Sequence, residues 1–328
     1  MSTETARYRD VMLVFWCLVL LVAGCLPDQV CGRAVPHHRR RGAGVGRLQN
    51  ATLTNATLAA GIAAGLGREL LLDGCLIEHF SPAMFGLLQD TDCLTLRGGL
   101  IPTVTFNSLT LDTLVIEATG LSVFEIVPSD VPYAKLRVLH ITRNALEQLT
   151  PGFASLVGLK RLDLSQNRLT HVDLDILSSL ERLRDLDLSV NRIVRLDASP
   201  ERQLPGLRNL WVSYNRLRTF RAFPGAFPAL DTVRLIGNVW RCSWVDRARA
   251  DIIRHGITAF GADYDCPGER QGGLCCYDDV ASEEEQIGQL DRLATTESQP
   301  KDGDFTLRET NRSTPTIGVR YGDVEIFL

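Results

Sequence analysis

Apolar and polar positions along this chain follow two periods at once. Within LKRLDLSQNRL (159–169) and LRDLDLSVNRI (183–193) the leucines alternate, as Leu162-x-Leu164 and Leu186-x-Leu188. Alternation is the period of a strand with one buried face. The phrase Leu-x-x-Leu-x-Leu-x-x-Asn-x-Leu/Ile also reads at 136–146 and 207–217, and Asn144, Asn167, Asn191, Asn215 and Asn238 recur at steps of 23, 24, 24 and 23 residues. One strand of about five residues cannot bury an apolar face alone. Units repeated at this period stack into a parallel sheet over a continuous core. The asparagine is the polar exception among the inward positions. Its amide donates and accepts, so it is expected to bond the backbone of neighbouring turns.

The phrase resembles the leucine-rich repeat consensus. Less regular copies flank the four clear ones: LDTLVIEATGL (111–121) puts Thr119 in the Asn place, and LDTVRLIGNVW (230–240) closes with Trp240. Leu70, Leu72, Cys75 and Ile77 fit one earlier copy, and Leu94, Leu96, Gly99 and Ile101 the next. About eight repeats therefore span 67–240 as one cooperative unit. Leu149, Phe153, Leu156 and Leu159 supply a return segment for the convex side. The expected fold is an α/β solenoid: a leucine-rich repeat horseshoe with a parallel concave sheet and a disulfide-closed C-terminal cap.

Outside the repeats the pattern changes. Residues 11–23, VMLVFWCLVLLVA, are an apolar run followed by small residues, which predicts a signal peptide over 1–24. A signal anchor is a minor alternative, and Val22-Ala23-Gly24-Cys25 also resembles a bacterial lipobox. No second run reaches the roughly 18 apolar residues of a membrane helix. Sequons at Asn50, Asn55 and Asn311 are candidate glycosylation sites. Residues 25–66 read as an N-terminal cap and linker, 241–277 as a cysteine-rich cap and 278–328 as an acidic, mostly disordered tail. Residues 277–328 hold 12 acidic and 5 basic side chains, and 1–24 sum to zero, so the net charge of −4 leaves +3 on the body between them. That balance argues against a dedicated nucleic-acid binder. The run His37-His38-Arg39-Arg40-Arg41 reads first as a solvated linker, and second as a polyanion contact or processing site.

Of nine cysteines, Cys17 falls in the signal peptide, and the other eight suit an oxidising, extracellular setting. Cys25 and Cys31 are expected to pair in the N-terminal cap. Adjacent Cys275 and Cys276 bond each other only with strain, so one is expected to reach Cys242 and the other Cys266. A terminal repeat needs a lid over its apolar face, and Trp240, Trp244, Ile252 and Ile253 supply material for one. Each bridge would add about 2–4 kcal/mol. A zinc site is the weaker reading of the same cysteines. Cys75 takes the inward Asn place as a buried thiol, whereas Cys93 falls at an outward place and is either a reactive thiol or, one residue out of register, buried.

The segment CSWVDRARADIIRHGITAFGADYDCPGERQGGLCC (242–276) resembles the C-terminal cap of the mosquito leucine-rich repeat immune proteins. The resemblance implies an extracellular innate immune factor that binds a complement-like thioester protein. Members of that family pair through long coiled coils. Here only Val280, Ile287, Leu290 and Ala294 show heptad spacing after Cys276, so the chain is similar to the coil-less branch.

Ligand information should lie in the outward letters of each strand. The residues between the inward leucines are Leu71, Thr95, Val115, His140, Asp163, Asp187, Trp211 and Arg234, and a second column two residues earlier supplies Arg161, Asp185 and Asn209. Strands about 4.8 Å apart turn these into ladders. Asp163 and Asp187 are then direct neighbours that repel, with Arg161 and Arg234 to offset them. Trp211, with Tyr214 three residues on, is a candidate interface anchor. The candidate binding set is His140, Arg161, Asp163, Asp185, Asp187, Asn209, Trp211, Tyr214 and Arg234. No catalytic motif, cofactor motif or metal-ligand spacing appears; GAGVG (42–46) neither follows a strand nor opens a helix. The function expected is a secreted, non-enzymatic innate immune recognition protein that engages a protein partner or a pathogen ligand through its concave face, and the alternative is an extracellular adhesion or matrix protein binding a cell-surface receptor.

Overall fold

The computed structural model describes residues 45–63 and 68–277, with a short antiparallel ribbon at Gly318–Tyr321 and Val324–Phe327. The expected signal peptide, Cys25, Cys31, Asn311 and most of the acidic tail lie outside these residues.

Alternating leucines do form strands, and the strands do stack. Ten of them build one concave sheet in chain order: Gly46–Gln49, Glu69–Asp73, Cys93–Arg97, Thr113–Glu117, Val138–Thr142, Arg161–Asp163, Asp185–Asp187, Asn209–Trp211, Thr232–Arg234 and Thr258–Ala259. Each pairs parallel with the next. Leu162, Leu164, Leu186, Leu188, Leu210 and Val212 are fully buried beneath it. Burial of each such side chain contributes roughly 1.5–3 kcal/mol. The eight central strands are those read from the repeats. The two outer ones were not: Gly46–Gln49 lies in the segment read as cap and linker, and Thr258–Ala259 in the cap.

On the convex side the return segments are short. Leu149, Phe153, Leu156 and Leu159 are buried as expected. Phe80, Phe85, Phe106, Phe124 and Phe153 run through the first half as successive ring contacts at 4.8–6.5 Å. Such edge-on and offset pairs add to the burial term.

Asparagine ties one turn to the next. Asn215 accepts from the Ile193 N–H at 3.0 Å and donates to the carbonyls of Leu188, Val212 and Ser213. Asn167, Asn191 and Asn238 repeat the pattern. Asn144 serves the irregular turn before it, accepting from the N–H groups of Thr119 and Leu121. Cys75 fills this slot as a buried free thiol. At Gly99 a Cβ would stand 2.1 Å from the Cys75 carbonyl, so no side chain fits there. The residue before each Asn place turns left-handed: Arg143, Gln166, Val190 and Tyr214 have φ of 54–57°. For β-branched Val190 that conformation is strained.

The cap closes the last repeat as a plug. Trp240 is fully buried and stacks on Trp244 at 4.0 Å. Their indole N–H groups donate to the carbonyls of Leu235 and Phe220. Helix Cys242–His255 ends at Gly256 in the left-handed conformation. Its Ile252 is buried, but Ile253 is 69% exposed and is no part of the lid. Disulfides join Cys242 to Cys276 and Cys266 to Cys275, which spends all four sulfurs and leaves none as a zinc ligand.

Candidate functional site

Two outward columns cross the concave sheet two residues apart on every strand. The register places Leu71, Thr95, Val115, His140, Asp163, Asp187, Trp211 and Arg234 in one line. Glu69, Cys93, Thr113, Val138, Arg161, Asp185, Asn209 and Thr232 form the other. Cys93 holds its outward register, yet it is 5% exposed and disulfide-bonded. It is not a reactive thiol, and the other sulfur of its bridge lies outside the described residues.

In the C-terminal half, the second column satisfies itself. Arg161 Nε donates to Asp185 Oδ2 at 3.2 Å, and Asn209 Nδ2 donates to Asp185 Oδ1 at 2.5 Å. Thr232 Oγ1 then donates to Asn209 Oδ1. The chain runs across four strands and ends on a threonine that the sequence reading did not single out. Arg161 pairs directly with Asp185, and its charge still offsets Asp163 from a distance, as that of Arg234 offsets Asp187. The first strands carry similar pairs at their ends: Arg47 to Asp73 at 2.6 Å, and Glu117 between Arg97 and Arg143, each at 3.3 Å.

The first column does not close on itself. Asp163 and Asp187 face each other from adjacent strands, and neither makes an ion pair among the described residues. Each is held by the serine two residues on: Asp163 Oδ1 accepts from the Ser165 N–H at 2.9 Å, and Asp187 Oδ1 from the Ser189 N–H at 2.8 Å. The repeated Asp-x-Ser marks this hold in the sequence. Burial pushes Asp187 up to about 6, and the Asp163 charge adds to the shift. Asp163 is raised too, chiefly by burial. Burial lowers His140 to about 4, helped by Arg161, so the ring is neutral near pH 7.

His140 stands next to Asp163 and is 6% exposed, and its buried Nε2 has no hydrogen-bond partner. At the other end Arg234 Nε is likewise buried and unpartnered. Trp211 sits between Asp187 and Arg234, partly exposed. Tyr214 is not in the ladder: it occupies the left-handed position of the following turn, with its ring over Gly237. The line His140–Asp163–Asp187–Trp211–Arg234 is thus a strip with a buried unpartnered nitrogen at each end and two carboxylates that make no direct ion pair among the described residues. Unmet buried polar groups cost about 1–3 kcal/mol each, and what the strip offers a partner is its partly exposed Asp163, Asp187, Trp211 and Arg234 side chains. Asn50 and Asn55 are both exposed, open to the glycosylation expected of them.

The leucine rich repeat family model matches residues 134–193. No curated protein matches the chain's sequence. Among solved structures, the chain is similar to the LRIM1/APL1C complex at 21% identity and a TM-score of 0.45, over 70% of this chain and 50% of that one. It is similar to the APL1 leucine-rich repeat domain at 19% identity and a TM-score of 0.45, over 64% of this chain and 65% of that one. The leucine-rich repeat domain of APL1B follows at 21% identity and a TM-score of 0.40, over 64% of this chain and 72% of that one. The chain spans half the length of the first of these chains. No helix among the described residues is long and apolar enough to cross a membrane. The stacked parallel ladder, the asparagine bonds between turns and the family-model match make the fold a leucine-rich repeat solenoid.

Proposed function

We propose that this chain is a secreted immune recognition protein that captures a protein partner on the C-terminal half of its concave face. One observation supports the reading: of two adjacent columns on the same sheet, one links its side chains to one another by hydrogen bonds and the other does not. His140, Asp163, Asp187, Trp211 and Arg234 form the binding strip. A basic side chain of the partner fits over the aspartate pair, with the Trp211 ring beside it, since cations favour both carboxylates and aromatic faces. Arg234 takes an acidic group of the partner. Arg161, Asp185 and Asn209 stand beside the strip as its support, and Tyr214 is a rim contact.

The immune assignment rests on the Cys-Trp…Cys…Cys-Cys cap and its resemblance to the mosquito immune proteins. On that resemblance the partner is a complement-like thioester protein. The test is capture from haemolymph by the full chain, beside a Trp211→Ala/Arg234→Glu variant of unchanged melting temperature. Retention of a thioester-containing protein by the first and its loss from the second is the expected outcome. Equal capture by both would move the site elsewhere. Retention on tissue through a membrane receptor, with no thioester protein, would favour the adhesion reading instead.

A further inference from the structure

A second concave region lies away from the sheet, between the last return segment and the cap helix. It is a cleft of about 670 Å³ lined by residues 218–221 and 223 on one wall and 241, 243, 244, 247, 248 and 251 on the other. That volume is within the ~300–1,000 Å³ of ordinary ligand sites. Four of the lining residues are arginines: Arg218, Arg221, Arg241 and Arg247. Asp251 is the one acidic residue in the lining, and its carboxylate accepts from Arg254 at 3.0 Å. The floor is aromatic, made by Phe220, Phe223 and Trp244, with Phe223 and Trp244 rings 6.2 Å apart.

The wall positions are fixed by the fold. Arg241 donates its backbone N–H to the Arg218 carbonyl at 2.9 Å, which locks the two arginine-bearing segments side by side. Ser243, Arg247 and Asp251 recur at four-residue steps on one face of the helix. The helix begins at the cleft with no acidic residue in its first turn and no side-chain cap. Its N-terminal dipole therefore adds to the arginine field instead of being neutralised by its own residues. Arg221 and Arg247 are exposed at the rim and make no ion pair among the described residues. Guanidinium groups are planar forks that match the oxygens of sulfate and phosphate esters.

We propose that this cleft binds an anionic sugar, one whose sulfate or phosphate esters meet the exposed guanidinium groups of Arg221 and Arg247 at the rim while a ring face lies toward the aromatic floor. Two sources share this chemistry: sulfated glycans of host matrix and phosphorylated glycans of microbial surfaces. The site is separate from the concave strip and is independent of the function proposed for it. It gives the molecule a second, charge-driven attachment point.

Titration of the full chain with a heparin-derived hexasaccharide, a bis-phosphorylated glucosamine disaccharide and an unsubstituted oligosaccharide distinguishes the sources. The expected result is saturable binding of at least one ester-bearing sugar, none of the unsubstituted one, and weakening with salt. Arg221→Ala/Arg247→Ala should weaken binding at least tenfold, and Arg221→Glu/Arg247→Glu should abolish it. Both positions are exposed, so an unchanged near-UV spectrum and melting temperature confirm folding. A control pair of exposed arginines elsewhere, Arg168→Ala/Arg182→Ala, should stay within twofold. Undiminished binding by the rim variant, or an equal loss in the control pair, would overturn the proposal. So would equal binding of an oligonucleotide of the same charge. Finally, if the wild-type chain binds none of these sugars but a variant with Asp278, Asp279, Glu283, Glu284 and Glu285 neutralised does, the cleft's occupant is the chain's own acidic segment.

Discussion

Two columns of side chains share one sheet, one curvature and one solvent, yet they are wired differently. From Arg161 through Asp185 and Asn209 to Thr232, every step is a hydrogen bond between neighbouring strands. From His140 through Asp163, Asp187 and Trp211 to Arg234, no such chain exists, and both ends carry a buried nitrogen without a partner. A repeat protein needs lateral ties to hold its strands in register, and one column is enough to supply them. The adjacent column is then released from structural duty. Its mixture of acid, ring and base is uneconomical for stability alone and is suited to a ligand.

The largest effect expected from this contrast is on binding. Trp211→Ala combined with Arg234→Glu should lower partner affinity by about 2–4 kcal/mol, the range of interface hot spots, with the melting temperature unchanged; calorimetry beside a binding titration checks both. Next comes the paired column. Asp185→Ala strands the Arg161 and Asn209 donors, and should cost about 1 kcal/mol of stability while leaving partner affinity within about twofold. Chemical denaturation at constant slope reads this.

A smaller effect separates the columns by pH. Asp187 has its folded pKa raised, so the folded state is disfavoured when the group is charged. That penalty is present above about pH 6 and is relieved as pH falls toward the ordinary aspartate value of 3.8. Asp187→Asn should therefore raise the melting temperature at pH 8 by about 2–4 °C and not at pH 4. The analogous change in the paired column, Asp185→Asn, should show no such gain. Of similar size is the contribution of His140, whose pKa is lowered to about 4 from 6.5. The stability tied to its neutral ring is present above pH 6.5 and lost as pH falls through 4. His140→Phe should flatten that part of the stability profile, measured by thermal melts in half-unit steps.

Much of this contrast is legible in the letters. The 23–24-residue period fixes which residues face out and which are neighbours, and Asp163, Asp187, Trp211 and Arg234 fall where alternation puts them. The cap's four cysteines pair between distant partners because adjacent ones are poorly placed to bond each other. What alternation does not encode is side-chain direction along a column. Arg161 lies within reach of two aspartates on the neighbouring strand, Asp185 beside it and Asp187 two residues on, as well as Asp163 on its own. Only coordinates show that it turns to Asp185. Gly46–Gln49 escapes because only Leu48 carries the strand's apolar signal and Gly46 stands where an inward leucine is expected. Tyr214 reads as a companion of Trp211, but the left-handed turn before Asn215 carries it over Gly237. The arginine cleft is invisible because its four arginines lie in two separate stretches, 218–221 and 241–247, that meet only when the cap docks.

The most direct test sets one variant from each column against the other, with affinity for the captured partner and melting temperature measured on both. Trp211→Ala should lose affinity by about 30-fold or more and keep its melting temperature, while Asp185→Ala should lose several degrees and keep its affinity. If the two variants instead lose affinity and stability in the same proportion, the columns do not divide binding from support.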